Sequence, residues 1–96
     1  MAKVIQLVIY KEIRDPQKLA SYAALAGPAM IASGARFLAR GVPLAVKEAG
    51  EALRTVVIEW DSLDVAEIGY NSTAYQEALR ALDGGAIREI RYIEAV

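Results

Sequence analysis

The chain has 96 residues, of which 11 are basic and 12 acidic, so its formal net charge at pH 7 is −1. This length fits one domain, and 55% hydrophobic with 24% charged residues is typical of a globular chain. The near-neutral charge does not favour a nucleic acid or an anionic membrane as a partner. No apolar run is long enough to span a bilayer, and charged residues come too early for a signal peptide. We therefore expect a cytoplasmic protein.

The sequence contains no cysteine and no histidine. These absences exclude disulfides, thiol nucleophiles and Ser-His-Asp triads, and they remove the commonest ligands of metals and of haem iron. No metal site and no cofactor are expected. Any chemistry would have to come from carboxylates, tyrosine, lysine, arginine or serine.

The first predicted element is a strand at 3–11, which is rich in valine and isoleucine. A helix follows to about Ser33, because Asp15 can cap its free N–H groups and Pro16 suits its first turn. Pro28 is expected to kink this helix or to split it.

The remaining predicted elements are strands at 35–41 and 53–60, helices at 61–70 and 73–82, and a strand at 86–96. Thr73 with Gln76 fits a capping box, and Asp83-Gly84-Gly85 is typical of a turn. The order βαββαβ predicts a single α+β domain over 1–96 with the ferredoxin-like fold. In this fold a four-stranded antiparallel sheet, in the order 4-1-3-2, carries its helices on one face.

Alternation along the strands separates two faces of the sheet. The purely apolar sets predict a helix-covered core of Ile5, Leu7, Ile9, Phe37, Val56, Ile58 and Trp60. The other face then combines aliphatic and charged residues, namely Val4, Gln6, Val8, Tyr10, Arg36, Leu38, Arg40, Leu53, Thr55, Val57 and Glu59.

This second face is too apolar for open solvent and too charged for full burial. Packing against the sheet of a second copy satisfies both conditions, so we expect a homodimer with a charged cavity between the sheets. The predicted dimer face contains Val4, Gln6, Val8, Leu38 and Val57. The last strand shows no clean alternation, which predicts a position at an edge or an interface.

Three segments carry a family resemblance. Residues 34–41 read GARFLARG and residues 54–60 read RTVVIEW, and the helical region contains Ser62, Ala66, Tyr70, Ser72, Tyr75 and Gln76. Together they resemble the GGR-x-L-x-RGG segment, the R-x-V-V-I-E-F strand and the S-x-x-x-A-x-x-W-Y-x-S-x-x-Y-Q helix of a bacterial family, domain of unknown function family 1330.

The chain departs from this family pattern at four positions. Ala35 and Val42 replace glycines, Gly69 replaces a tryptophan, and Trp60 replaces a phenylalanine. The resemblance implies the dimeric α+β barrel superfamily, which is ferredoxin-like in each subunit. That superfamily includes small isomerases, cofactor-free monooxygenases and haem enzymes, so the resemblance implies a fold and a dimer more than a reaction.

Polar residues of the second face are the candidate site. A hairpin that places Arg36 opposite Glu59 also places Arg40 opposite Thr55. Because an arginine fork binds carboxylates, an anionic ligand could bind at Arg40, Arg36, Tyr10 and Glu59, with Tyr70 and Tyr75 as further ligand-binding aromatics. For Arg36 and Glu59, a structural ion pair across the two strands is favoured over ligand binding. Glu59 and Tyr10 are the candidates for acid–base catalysis.

Three functions fit these observations. The preferred one is a dimeric protein that binds a small organic molecule, either anionic or aromatic. The alternatives are a cofactor-free isomerase or monooxygenase that uses Glu59 and Tyr10, and a structural or regulatory partner module. Haem chemistry is disfavoured because only tyrosine and methionine remain as iron ligands.

Overall fold

The computed structural model describes residues 2–96, which form one four-stranded antiparallel sheet with helices on one face. In chain order the elements are β1 (Val4–Ile13), α1 (Pro16–Ala32), β2 (Arg36–Gly41), β3 (Thr55–Trp60), α2 (Leu63–Tyr70), α3 (Thr73–Leu82) and β4 (Ala86–Glu94). The sheet order β2-β3-β1-β4 confirms the predicted ferredoxin-like fold and the position of β4 at an edge. Over these residues, none of the helices has the length and apolarity needed to cross a bilayer.

Helix α1 begins as predicted and then continues through its internal proline. The Asp15 side chain accepts hydrogen bonds from the backbone N–H groups of Gln17 and Lys18 at 3.0 and 3.2 Å. The helix does not split at Pro28. Ala26 and Met30, which flank the proline, are buried against the sheet, and this packing offsets the hydrogen bond that proline cannot donate.

The two later helices have serine N-caps. Ser62 Oγ accepts from the backbone N–H of Val65, and Ser72 Oγ accepts from that of Tyr75. The predicted capping box at Thr73 is therefore wrong by one residue. The Gln76 side chain instead donates to the carbonyl oxygen of Tyr70 at 2.8 Å, which joins the end of α2 to the start of α3.

The predicted face of β1 is wrong, whereas that of β3 is right. Val4, Gln6, Val8 and Tyr10 are buried under the helices, and Ile5, Leu7 and Ile9 lie half-buried on the opposite side. The register explains this placement, because Gln6 lies opposite Ile58 and paired residues share a face. Both alternating sets of β1 are largely apolar, so alternation alone could not distinguish them.

The centre of the core is the indole of Trp60, which is 1% exposed. Its N–H donates to the buried Gln6 side-chain oxygen at 2.8 Å. Gly69 of α2 packs against the same ring, since a Cβ added there would lie 3.0 Å from it. The large side chain of Trp60 on β3 therefore faces a glycine at the point where α2 approaches it.

Within residues 2–96 no helix covers the other side of the sheet, and we call this side the open face. It carries the apolar residues Ile5, Leu7, Ile9, Ala39, Val57 and Ile93. Ion pairs lie on either side of this apolar strip. On one side Arg36 bonds Glu59 and Asp61, at 2.8 and 2.9 Å, and on the other Glu89 pairs with Lys11 and Arg91.

Candidate functional site

A cavity of about 570 Å³ lies between the helix-covered face of the sheet and α1, and we call it the sheet–helix cavity. Its walls are mainly apolar, with Val8, Val56 and Ile58 on the sheet side and Leu19, Ala26 and Met30 on α1. Small-molecule sites in proteins have volumes of roughly 300–1,000 Å³ and mostly apolar walls with a few polar groups. In size and lining the cavity therefore resembles a binding site for a small molecule.

Among residues 2–96, the charged residues of the cavity lining are three arginines: Arg40 near the end of β2, Arg54 just before β3, and Arg88 near the start of β4. Among the described residues, the lining includes no aspartate or glutamate. The ion pairs described for residues 2–96 do not involve any of the three. The cavity therefore has an uncompensated positive charge.

The sheet register brings these arginines to one end of the sheet. Tyr10 lies opposite Arg88 across the β1–β4 pair, and the Tyr10 backbone N–H donates to the Arg54 carbonyl at 2.9 Å on its other side. Adjacent strands lie about 4.8 Å apart, so the backbones of Arg54 and Arg88 lie roughly 10 Å apart with Tyr10 between them.

Arg40 reaches the cavity because β2 contains a bulge. The register shifts between Phe37 and Ala39, which leaves Leu38 unpaired and 55% exposed. Beyond the bulge Arg40 lies opposite Val56, so the predicted pairing of Arg40 with Thr55 is wrong by one residue. An extra residue exchanges the two faces of a strand. Phe37 and Arg40 consequently lie on the same, helix-covered face, and the guanidinium lies 5.6 Å from the ring centroid.

Arg88 is hydrogen-bonded to Tyr22, one of a pair of buried tyrosines. Its Nη1 donates to the Tyr22 hydroxyl at 2.8 Å, and the Tyr22 and Tyr75 hydroxyls are 2.7 Å apart. The guanidinium also lies 4.8 Å from the centroid of the Tyr22 ring. Burial raises the pKa of Tyr22, the nearby Tyr75 raises it further, and Arg88 opposes both effects without reversing them. Tyr22 is therefore a neutral phenol at physiological pH.

The direction of this hydrogen-bond chain follows from the charge of Arg88. A hydroxyl that accepts from a cation becomes a stronger donor, so the Tyr22 proton is directed towards Tyr75. The proton of Tyr75 is then available to an acceptor in the cavity. Together, Arg88 and Tyr75 offer donors that suit a negatively charged oxygen.

The structure separates the candidate residues into two groups. Tyr10, Arg40 and Tyr75 line the sheet–helix cavity. Arg36 and Glu59 lie opposite one another on the open face, as their predicted pairing required. The hydrogen bond from Arg36 lowers the pKa of Glu59, so this carboxylate is ionised and a weak base at neutral pH.

The expected single site of Arg40, Glu59 and Tyr10 is not formed, and the idea that these residues share one face is wrong. The bulge moves Arg40 to the helix-covered side, and the β1 register places Tyr10 there as well, while Glu59 stays on the open face. Tyr70 lines a much smaller cavity beside Trp60, with its ring centroid 5.3 Å from that of Tyr75.

Three residues of the cavity were not predicted as a site: Arg54, Arg88 and Tyr22. Tyr22 is indistinguishable in sequence from an ordinary core aromatic. The one available signal was β4 itself, whose charged residues do not alternate cleanly, but that pattern does not tell which arginine faces inwards. The contact of Arg88 with Tyr22 joins residues 66 apart in sequence and depends on the β1–β4 register.

Comparison with known proteins identifies one family. The model of that family, described as a domain of unknown function (DUF1330), matches residues 6–96. No curated protein matches the chain significantly.

Several solved structures share the fold. A protein of unknown function from Rhodopseudomonas palustris superposes with a TM-score of 0.76 at 14% identity, covering 99% of this chain and 83% of that one. SnoaB, a cofactor-independent oxygenase from Streptomyces nogalater, superposes with a TM-score of 0.71 at 11% identity, covering 100% of this chain and 95% of that one. A dimeric ferredoxin-like protein of unknown function from Thermobifida fusca superposes with a TM-score of 0.66 at 16% identity, covering 98% of this chain and 92% of that one. At these identities the likeness extends to the fold alone.

Proposed function

Since the chain belongs to the DUF1330 family, whose function is unknown, we propose a role from the chain's own side chains: the sheet–helix cavity binds a small organic anion with an apolar or aromatic body. The single observation that carries this proposal is the half-buried guanidinium of Arg88, which donates to the Tyr22 hydroxyl and pairs with no carboxylate among residues 2–96.

Burying a charge without a partner costs free energy, and an anion in the cavity would remove that cost. Arg88 and the Tyr75 hydroxyl would bind the charged oxygens, because charged hydrogen bonds are the strong ones. The aliphatic walls contributed by Val8, Ile58 and Met30 would take up the apolar part of the same molecule. These features together support a ligand that is anionic at one end and apolar in its body.

Catalysis is the second candidate, and the same donors favour it. Arg88 and Tyr75 are arranged to stabilise an oxyanion, as an isomerase or oxygenase acting on an ionisable aromatic substrate would require. The described lining offers no good general base, because its titratable side chains are arginines and tyrosines and burial raises the pKa of Tyr22. Binding of a preformed anion therefore has the stronger support.

Calorimetric titration with 2-naphthoate and with the neutral 2-naphthamide tests the proposal. We expect the carboxylate to bind and the amide to bind at least about tenfold more weakly, a difference of ~1.4 kcal/mol. Because arginine remains charged and Tyr22 protonated, the affinity for naphthoate should be constant from about pH 6 to about pH 9. Equal affinities for the two compounds, or no binding of either, would contradict the proposal. Conversion of the carboxylate during the titration would instead favour the enzyme.

We also propose that two copies pack through their open faces to form a homodimer. Ile5, Leu7, Ile9 and Val57 are only half-buried there, which leaves an apolar strip facing outwards. The dimeric fold of the Thermobifida fusca protein supports this arrangement. The strip replaces the dimer face expected from sequence, of which Val4, Gln6 and Val8 are instead covered by the helices of the same chain.

Leu7→Lys is expected to convert this dimer into a monomer. Leu7 lies at the middle of the open face, between Val57 and Arg91, so a second cation would be buried beside the arginine. Light scattering should give twice 10.4 kDa for the parent chain and 10.4 kDa for the variant. Ile68→Lys, at a residue 71% exposed on α2, is the matched control and should remain dimeric. A parent chain that is monomeric at micromolar concentration would exclude the interface.

A further inference from the structure

We infer that the ligand of the sheet–helix cavity carries two acidic groups, one bound by Arg88 with the Tyr75 hydroxyl and the other by Arg40 and Arg54. A flat apolar body would join the two groups and lie over the ring of Tyr10. This inference rests on the proposed function and specifies the class of ligand, a rigid dicarboxylate.

The charge of the cavity supports two acidic groups. Three arginines line it, and the described lining residues contribute no carboxylate. A ligand with one carboxylate would neutralise Arg88 and leave without a counter-charge both Arg54, which is half-buried, and Arg40, which is exposed at the edge of the cavity. The Cζ atom of Arg40 lies 5.6 Å from the centroid of the Phe37 ring. This contact stabilises the cation but does not neutralise its charge.

The geometry separates the arginines into two centres. Arg88 lies on β4, whereas Arg40 and Arg54 lie on the β2–β3 side, with β1 between them. Two strand spacings, roughly 10 Å, therefore separate the backbone of Arg88 from that of Arg54, and three, roughly 14 Å, separate it from that of Arg40. The Arg88 guanidinium lies against the ring of Tyr22 on α1, whereas the Arg40 guanidinium lies against the ring of Phe37 on β2, so one carboxylate cannot reach both. Two acidic groups at opposite ends of one molecule can.

Tyr10 occupies the space between the two centres. It is 7% exposed, lies opposite Arg88 across the β1–β4 pair, and its ring centroid is 5.9 Å from the Arg88 guanidinium carbon. A planar ligand body could pack on this ring while its ends reach the two centres, because aromatic groups favour stacked or edge contacts. Rigid planar bodies therefore fit the cavity better than flexible chains, which would lose conformational freedom on binding.

Titration with 2-naphthoate and naphthalene-2,6-dicarboxylate, which share one ring system, tests the inference. We expect the diacid to bind at least about tenfold more tightly at constant ionic strength. In the double variant Arg40→Met, Arg54→Met the ratio of the two affinities should fall to near one. In Arg40→Lys, Arg54→Lys, which keeps the charge, part of the preference should return. Arg80→Met, on the exposed side of α3, is the control for loss of one cation and should keep the full ratio.

The outcomes distinguish the inference from the proposed function. If naphthoate binds and the diacid binds no more tightly, the inference is wrong and the proposed function stands. If neither compound binds, both are wrong. A preference that persists in the Arg40, Arg54 methionine variant would place the second acidic group elsewhere and also contradict the inference. If the parent chain loses its preference for the diacid at high salt, Arg40 and Arg54 attract the diacid from a distance rather than contact it.

Discussion

Replacing Arg88 with methionine is expected to weaken the binding of 2-naphthoate roughly 10- to 100-fold, the loss of one hydrogen-bonded charge pair. Methionine keeps much of the apolar side chain but removes the cation and its donors. The Tyr22 hydroxyl then loses the donor that directs its own proton towards Tyr75. Isothermal calorimetry on the parent chain and the variant, at the same pH and salt, measures the effect.

Two further variants make this result interpretable. Arg88→Lys keeps the positive charge but not the planar fork, so an intermediate affinity is expected. Arg80→Met removes one cation from the exposed surface of α3 and should leave the affinity within about twofold, because exposed charges are screened. If Arg88→Met and Arg80→Met weaken binding equally, Arg88 does not contact the anion.

Replacing Trp60 with alanine is expected to lower the free energy of unfolding by about 3–5 kcal/mol, the range for deleting a buried aromatic side chain. The indole is 1% exposed, and it is packed against Gly69 of α2. Its removal also leaves the buried Gln6 oxygen without the donor that lies 2.8 Å away. Both effects act in the same direction, so the loss should lie in the upper part of this range.

Urea unfolding at one fixed protomer concentration measures this loss, since the stability of a dimer depends on concentration. Trp60→Phe separates the two contributions: it keeps an aromatic ring but removes the donor to Gln6, and a loss of about 1–3 kcal/mol is expected. Ile31→Ala, at a residue 62% exposed, should change the stability by less than about 0.5 kcal/mol. A Trp60→Ala variant as stable as Ile31→Ala would contradict the central position of the indole.

Strand β3 shows why one part of the core could be predicted from sequence. Val56, Ile58 and Trp60 alternate with Thr55, Val57 and Glu59, so only one set is wholly apolar, and that set is the buried one. In β1 the two sets are Val4, Gln6, Val8 and Tyr10 against Ile5, Leu7 and Ile9. The second set looks more apolar, but it lies on the open face, and the first is covered by the helices. Alternation identifies a buried face only when the other face meets water.

The site depended on two features that no local pattern shows. The bulge at Leu38 shifts the β2 register by one residue, which turns Arg40 from the side of Glu59 to the side of Phe37. The contact between Arg88 and Tyr22 requires both the β1–β4 register and the packing of α1 on the sheet. Neither feature follows from the composition of the strands that carry it.

The sequence by itself determined the order of elements and the ferredoxin-like plan, because caps, turns and β-branched runs act over a few neighbouring residues. It also restricted any chemistry of this chain to carboxylates, tyrosine, lysine, arginine and serine, since histidine and cysteine are absent. Only the tertiary structure decided which of these residues meet. A shift of one residue in strand register exchanges the faces of a strand, and register is set by pairing between distant segments rather than by local sequence.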